Sequence, residues 1–179
     1  MPSLRTVCVY CGSSAGKRPE FRKSAQALAA VFLKRDIGLV YGGASVGIMG
    51  AMADAMRSQG GRVTGVIPKA LVEKEVSHSG LSEMHVVASM HERKQLMFDL
   101  SDGFIALAGG LGTMEELFEM LTWAQLGFHT KPVALLNTEG YFDGLLDFLS
   151  HAVAEQFIGP EHYALLLVEK DPEKLLGLM

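Results

Sequence analysis

Along the chain, apolar residues fall in short dense runs that alternate with longer stretches of helical spacing. Residues 4–10 are rich in β-branched side chains and end at Cys11-Gly12-Ser13-Ser14, which predicts a buried strand followed by a loop. From residue 19 to 36, Phe21, Ala25, Leu28, Ala29 and Phe32 share one helical face, with Pro19 suited to the first turn. Residues 37–41 form the next predicted strand, broken at Gly42-Gly43, and a helix over 45–59 stops at Gly60-Gly61. A third strand, 62–67, ends at Pro68; the mixed polar stretch 69–83 reads mostly as loop, and 84–87 as a short strand. Ser89 and Glu92 make an S-x-x-E capping box for a helix over 89–100. The remainder alternates in the same way: strand 103–107, tight turn 108–112, helix 113–126, strand 131–136, helix 141–156, a strand near 165–168 and a closing helix 172–178.

Nearly all-apolar strands alternating with helices predict an α/β fold: a doubly wound, Rossmann-like parallel sheet with helices on both faces, one domain over 1–179. Ligands of such sheets bind beyond the carboxyl ends of the strands, which singles out the loops after Tyr10, Tyr41, Ile67 and Leu107. Composition narrows the partners. With 49% hydrophobic and 20% charged residues the chain is not a disordered polypeptide, and a net charge of -4 argues against a general nucleic-acid binder. No run approaches the ~18 apolar residues of a membrane span, and the start lacks a signal peptide's apolar stretch. A cytoplasmic protein with no membrane partner is therefore expected. Cys8 and Cys11, with no second pair of ligands, suit a buried strand thiol and a turn thiol better than a redox or zinc site. No metal or other cofactor is expected.

Two glycine-rich turns follow strands and open helices, where unpaired N–H groups and a positive dipole end suit phosphate. The first, Gly42-Gly43-Ala44-Ser45-Val46-Gly47-Ile48-Met49-Gly50, does not match the dinucleotide fingerprint, and Gly12-Ser13-Ser14-Ala15-Gly16-Lys17-Arg18 is not a Walker A loop. That first turn serves either phosphate contact or close helix–strand packing. The second, Gly109-Gly110-Leu111-Gly112-Thr113, places its glycines at a buried strand's end. Thr113 to Glu116 is itself a capping-box spacing, so Glu116 is either a helix cap or a carboxylate held at a phosphate-binding tip. Arg93 shares a helical face with Leu96, Met97 and Leu100, a permanent cation on an apolar stripe. Such a cation is an ion-pair member, a stem snorkelling to solvent, or a fork for phosphate or carboxylate.

Met90-His91-Glu92-Arg93-Lys94 followed by Ala108-Gly109-Gly110-Leu111-Gly112-Thr113-Met114-Glu115-Glu116 resembles the LONELY GUY (LOG) family of cytokinin-activating phosphoribohydrolases. That family carries an RK pair and a PGGxGTxxE motif. The likeness runs from Val7-Cys8-Val9-Tyr10-Cys11-Gly12-Ser13-Ser14 through Tyr41-Gly42-Gly43 to Lys131-Pro132-Val133-Ala134-Leu135-Leu136-Asn137, nearly the whole chain. It implies a Rossmann-like homodimer that cleaves N6-substituted adenosine 5'-monophosphate, or AMP itself, to free base and ribose 5-phosphate. Carried over by motif, Arg93 and Glu116 are the catalytic pair. Lys94, the run from Gly109 to Glu116, Glu75 and Thr122 are substrate contacts, with Gly110 to Thr113 as the phosphate cradle. Ala108 stands where the family has proline, a departure that touches the shape of the turn rather than a reactive group. The family is often labelled lysine decarboxylase, yet no lysine here makes an evident pyridoxal-phosphate site, and Lys94 suits one poorly.

The implied chemistry passes through an oxocarbenium-like transition state. Glu116 would stabilise that charge and activate water, while Arg93 holds substrate and orients Glu116. A competing reading is a non-catalytic nucleotide or molybdenum-cofactor carrier of the same fold, whose glycine turns look similar. The intact pair of Arg93 and Glu116 favours the enzyme. For the dimer, the apolar stripe Leu117, Met120, Leu121 and Trp123 offers a surface, and ordinary intrachain core accounts for the same stripe.

Overall fold

The computed structural model describes residues 4–72 and 77–179. Strands β1 (Thr6–Tyr10), β2 (Gly38–Tyr41), β3 (Val63–Pro68), β4 (Glu83–Val87), β5 (Gly103–Ala106), β6 (Val133–Leu136) and β7 (Leu166–Glu169) make one sheet in the order β4-β3-β2-β1-β5-β6-β7. Every pairing is parallel. The order reverses at β1, whose neighbours are β2 and β5, and a crevice opens there beyond the strand ends.

Side chains alternate across the sheet and divide the core in two. Val7, Val9, Leu39 and Tyr41 point into a cluster under helices α1 (Pro19–Lys34) and α2 (Gly47–Arg57) and, further along the chain, α7 (Pro172–Leu178). Cys8, Tyr10, Val40 and Phe104 point the other way, under α3 (Met90–Asp99), α4 (Leu111–Gln125) and α5 (Asp143–Ala154). The sheet thus carries helices on both faces, as its apolar strands demand. No helix among the described residues is long and apolar enough to cross a membrane.

Some expectations shift. The stretch 69–83 holds a 3-10 turn over Lys69–Leu71 and a bridge between Ala44 and Ser77 among its described residues. A short helix, α6 (Pro160–Tyr163), occupies a segment with no predicted element, because four residues are too few to display a 3.6-residue period. The stripe on α4 belongs to this chain's own core: Leu117 and Met120 are buried, with Leu121 and Trp123 packed against the same cluster. The Ser89 half of the α3 capping box is formed, its hydroxyl accepting from the Glu92 N–H at 3.1 Å, while the Glu92 carboxylate accepts from the Ala88 N–H, one residue before the N-cap, at 2.7 Å.

Candidate active site

Beyond the strand ends at the switch point lies a cavity of about 290 Å3. β1 leads into Cys11, Gly12 and Ser13, β2 into Gly42, the turn after β3 into Leu71, and β5 into Gly110 at the head of α4. Met49 of α2, Met90, Arg93 and Met97 of α3, and Glu116 of α4 complete the wall.

These segments touch because glycines let their backbones meet. The Gly12 N–H donates to the Ala108 carbonyl at 3.1 Å, and the Gly12 carbonyl accepts from the Ile48 and Met49 amides at 3.0 and 3.3 Å. Two first-turn amides of α2 are used in this way, and a Cβ on Gly47 would collide with the Ser13 backbone, so close packing accounts for this part of the 42–50 turn. A Cβ on Gly109 would run into the Thr113 side chain and come within 2.9 Å of the Gly12 nitrogen.

Gly110 is the N-cap of α4 and supplies no capping side chain to the first turn. Leu111, Gly112 and Thr113 form that turn and line the cavity, and Leu111 is 90% exposed. A positive helix end facing a cavity is a ready anion site. The helix begins two residues earlier than its sequence pattern suggests, because Gly110 rather than Thr113 supplies the N-cap. Thr113 is buried in the first turn, so the capping-box alternative for Glu116 is overturned. Glu116 lies deeper in the helix, half-buried on the cavity wall.

Arg93 sits on the opposite wall and is only 6% exposed, which removes the snorkelling alternative. Its Nε donates to the Val66 carbonyl and its Nη2 to the Gly42 carbonyl, both at 3.0 Å, while Nη1 has the Met90 sulfur at 3.8 Å. Its hydrogen bonds to described residues go to neutral groups, two carbonyls and a sulfur. A buried guanidinium on a cavity wall is a strong site for an anion, its planar fork matching phosphate or carboxylate.

Negative charge acts from the other side. Burial pushes the Cys8 thiol and Tyr10 phenol well above their ordinary values, and the Glu116 carboxylate adds to both shifts. Burial and then Glu116 do the same to Cys11. Both thiols are free and buried, as a strand thiol and a turn thiol should be. Among the described residues, no group of three or more His, Cys, Asp or Glu is placed to hold a metal.

The remaining candidates divide. Glu115 lines the cavity, but its carboxylate takes the Lys94 ammonium at 2.5 Å. Lys94 also meets Glu119 at 2.9 Å and is not on the cavity wall. Burial lowers the Lys94 pKa, and its hydrogen bonds to Glu115 and Glu119 outweigh it, so the net shift is upward. Gly109 faces a neighbouring cleft, its carbonyl accepting from the Tyr141 hydroxyl at 2.5 Å, and Met114 packs into the second core cluster. Thr122 bonds the Phe118 carbonyl at 2.7 Å and borders a separate cleft beside α5. Glu75 lies outside the described residues. Residues that the motif did not flag also form the wall: Tyr10, Ser13, Gly42 and three methionines, 49, 90 and 97. Position in the strand-end loops singled out for a ligand signals Ser13 and Gly42, and Tyr10 closes β1, whereas the three methionines lie on helices and carry no such signal.

Comparison with known proteins sets this arrangement in a family. The chain is 51% identical over 97% of its length to the probable cytokinin riboside 5'-monophosphate phosphoribohydrolase LOGL9 of Oryza sativa subsp. japonica, covering 76% of that protein. It is 50% identical over 88% of its length to the cytokinin riboside 5'-monophosphate phosphoribohydrolase LOG7 of Arabidopsis thaliana, covering 72% of it. The chain belongs to the LOG family. A family model described as "possible lysine decarboxylase" matches residues 49–179 of this LOG protein. Among the described residues no lysine lines the cavity, so the site gives that description no support. Solved structures share the fold at low identity. The molybdenum cofactor binding protein of Rippkaea orientalis superimposes with TM-score 0.71 at 22% identity, covering 99% of this chain and 96% of that one. The molybdenum cofactor carrier protein of Chlamydomonas reinhardtii does so with TM-score 0.72 at 20% identity, covering 98% and 96%.

Proposed function

We propose that this LOG protein hydrolyses the N-glycosidic bond of an adenosine 5'-monophosphate, plain or N6-substituted, to free base and ribose 5-phosphate. The observation that carries the reading is the buried guanidinium of Arg93, bonded to two backbone carbonyls, on the same cavity as Glu116 and the glycine-headed first turn of α4. The names of the relatives at 44–51% identity point the same way. The 5'-phosphate sits on the amides of Gly110 to Thr113, drawn by the helix end. Glu116 takes a proton from water as the water oxygen bonds to C1' of the ribose; the bond to the base nitrogen breaks, its electron pair stays on that nitrogen, and the nitrogen takes up a proton from solvent. The carboxylate also offsets the positive charge that builds on the ring. Arg93 contacts the substrate and orients Glu116.

The test is release of free base from AMP, prenylated AMP, GMP and CMP, beside adenosine. Adenosine gives the glycine turn nothing to hold, and lost remote binding energy lowers the rate of chemistry as well as affinity. Equal kcat/KM for adenosine and AMP would overturn the phosphate cradle, and binding without any base release would mark a carrier instead. Glu116→Gln should abolish turnover while leaving AMP affinity within about tenfold. Near wild-type release by that variant refutes the role of Glu116.

A homodimer completes the proposal. The support is no longer the stripe on α4 but apolar residues exposed beside and beyond it: Leu126 at 59%, Phe128 at 70%, Phe148 at 61% and Phe157 at 88%. Light scattering at micromolar concentration tests it, a monomer being the contrary result.

A further inference from the structure

We infer that Gly42 is a positioning residue for Arg93: the site requires the absence of a side chain there so that the guanidinium can lie against the turn. The inference rests on the assignment of Arg93 to substrate contact. Two adjacent glycines follow β2, and they are glycine for different reasons. Gly43 has φ +80, a left-handed conformation that other residues rarely adopt. Gly42 has no such backbone, so conformation does not demand glycine there.

Space does. A Cβ on Gly42 would collide with Nη2 of Arg93, and would lie 2.9 Å from the Met49 sulfur and 3.4 Å from Cζ of Arg93. Nη2 is the nitrogen that donates to the Gly42 carbonyl at 3.0 Å, so the same residue supplies the anchor and the room for it. The Val66 carbonyl holds Nε at 3.0 Å. With two corners of a rigid planar group fixed, the direction of Nη1, which lies 3.8 Å from the sulfur of the cavity residue Met90, is fixed as well. A methyl group at 42 breaks the Gly42 anchor, and the fork must turn about Nε, swinging Nη1 off its line. In a close-packed interior there is no slack to absorb that displacement.

The experiment is a double-mutant cycle of Gly42→Ala and Arg93→Met, read in AMP hydrolysis, AMP affinity by calorimetry and thermal melting. Methionine at 93 ends short of the Nη2 position, so it vacates the space that the new methyl group needs. G42A alone should lower kcat/KM by about a hundredfold, comparable with a lost transition-state contact. Added to R93M, it should cost less than about threefold more in affinity, because the group it disturbs is gone. Losses that multiply in full would overturn the inference, as would a G42A enzyme with near wild-type kcat/KM. Failure of the underlying reading is visible separately, as R93M alone retaining turnover. Gly42→Ala/Met49→Ala, beside Met49→Ala, guards against a variant that does not fold. It removes the sulfur contact and leaves the collision with Arg93, so it should fold and remain impaired relative to M49A. Full recovery there would assign Gly42 to packing against Met49 and sink the proposal.

Discussion

Arg93→Met separates a residue kept for binding an anion from one kept for the fold. Two hydrogen bonds from a charged donor disappear, those to Val66 and Gly42, at roughly 1.5–3 kcal/mol each. Against that, a guanidinium only 6% exposed no longer has to be desolvated, which returns several kcal/mol. Methionine is apolar and lies against Met90 and Met97. The two effects nearly cancel, and R93M should stay within about 2 kcal/mol of the native protein. For 179 residues, with an unfolding entropy of about 2.1 cal/mol/K per residue, that is roughly 5 °C in Tm. A member of a structural ion pair would instead cost about 3–5 kcal/mol, or roughly 8–13 °C. The assay is a pair of melts, without nucleotide and with AMP at about a hundredfold its native Kd, where binding stabilises the native protein by about 2.7 kcal/mol. R93M should melt near the native temperature and lose the AMP-dependent rise. A fall beyond about 8 °C, or an undiminished rise with AMP, refutes the reasoning.

Other expectations follow from single contacts. Ala108 gives its carbonyl to the Gly12 amide, while its own N–H has no partner among the hydrogen bonds of the described residues, so Ala108→Pro removes none of them. That variant should gain about 0.4–1 kcal/mol, or 1–3 °C, with unchanged initial rates; a lower Tm would mean the φ at 108 does not suit proline. Cys8 and Cys11, whose thiols burial and Glu116 push up, should resist a disulfide reagent at neutral pH until the protein unfolds, and a fast-reacting native thiol would contradict this. The raised pKa of Lys94 means its contribution to stability is complete below the ordinary value of 10.5 and drains away as pH climbs through the folded value. Lys94→Met should lack that decline in melts above pH 10, and an identical decline in the variant would place the effect elsewhere.

The sheet was legible because strands buried on both faces read as unbroken apolar runs, and the ligand-bearing ends followed from topology alone. Where a helix starts was less so. Thr113 carries the pattern of an N-cap, but the extended backbone of Gly110 takes that place, and no propensity distinguishes the two. That shift of three residues in the N-cap decided the meaning of Glu116, from a cap to a carboxylate on a cavity wall. Arg93 was marked by its apolar neighbours, yet its partners are carbonyls on β3 and after β2, which carry no side-chain signature. Thr122 shows the reverse case. A motif position draws attention to it, and the fold sends it to a different cleft.

The adjacent Arg93 and Lys94 illustrate why a motif cannot be read as a list of contacts to one ligand. Neighbours on an α-helix point about 100° apart, so adjacent cations can be sent to different partners. The structure divides them: Arg93 faces the cavity, and Lys94 reaches across to Glu115 and Glu119 on α4. With Lys94 only 14% exposed and bonded twice, the link is more than a solvated surface pair. α4 is the helix that carries Glu116 and presents its first turn to the cavity, so Lys94 ties the wall bearing the guanidinium to the wall bearing the carboxylate. Loss of Lys94 should therefore act on the distance between those two groups, and a small displacement there weighs on catalysis far more than on folding.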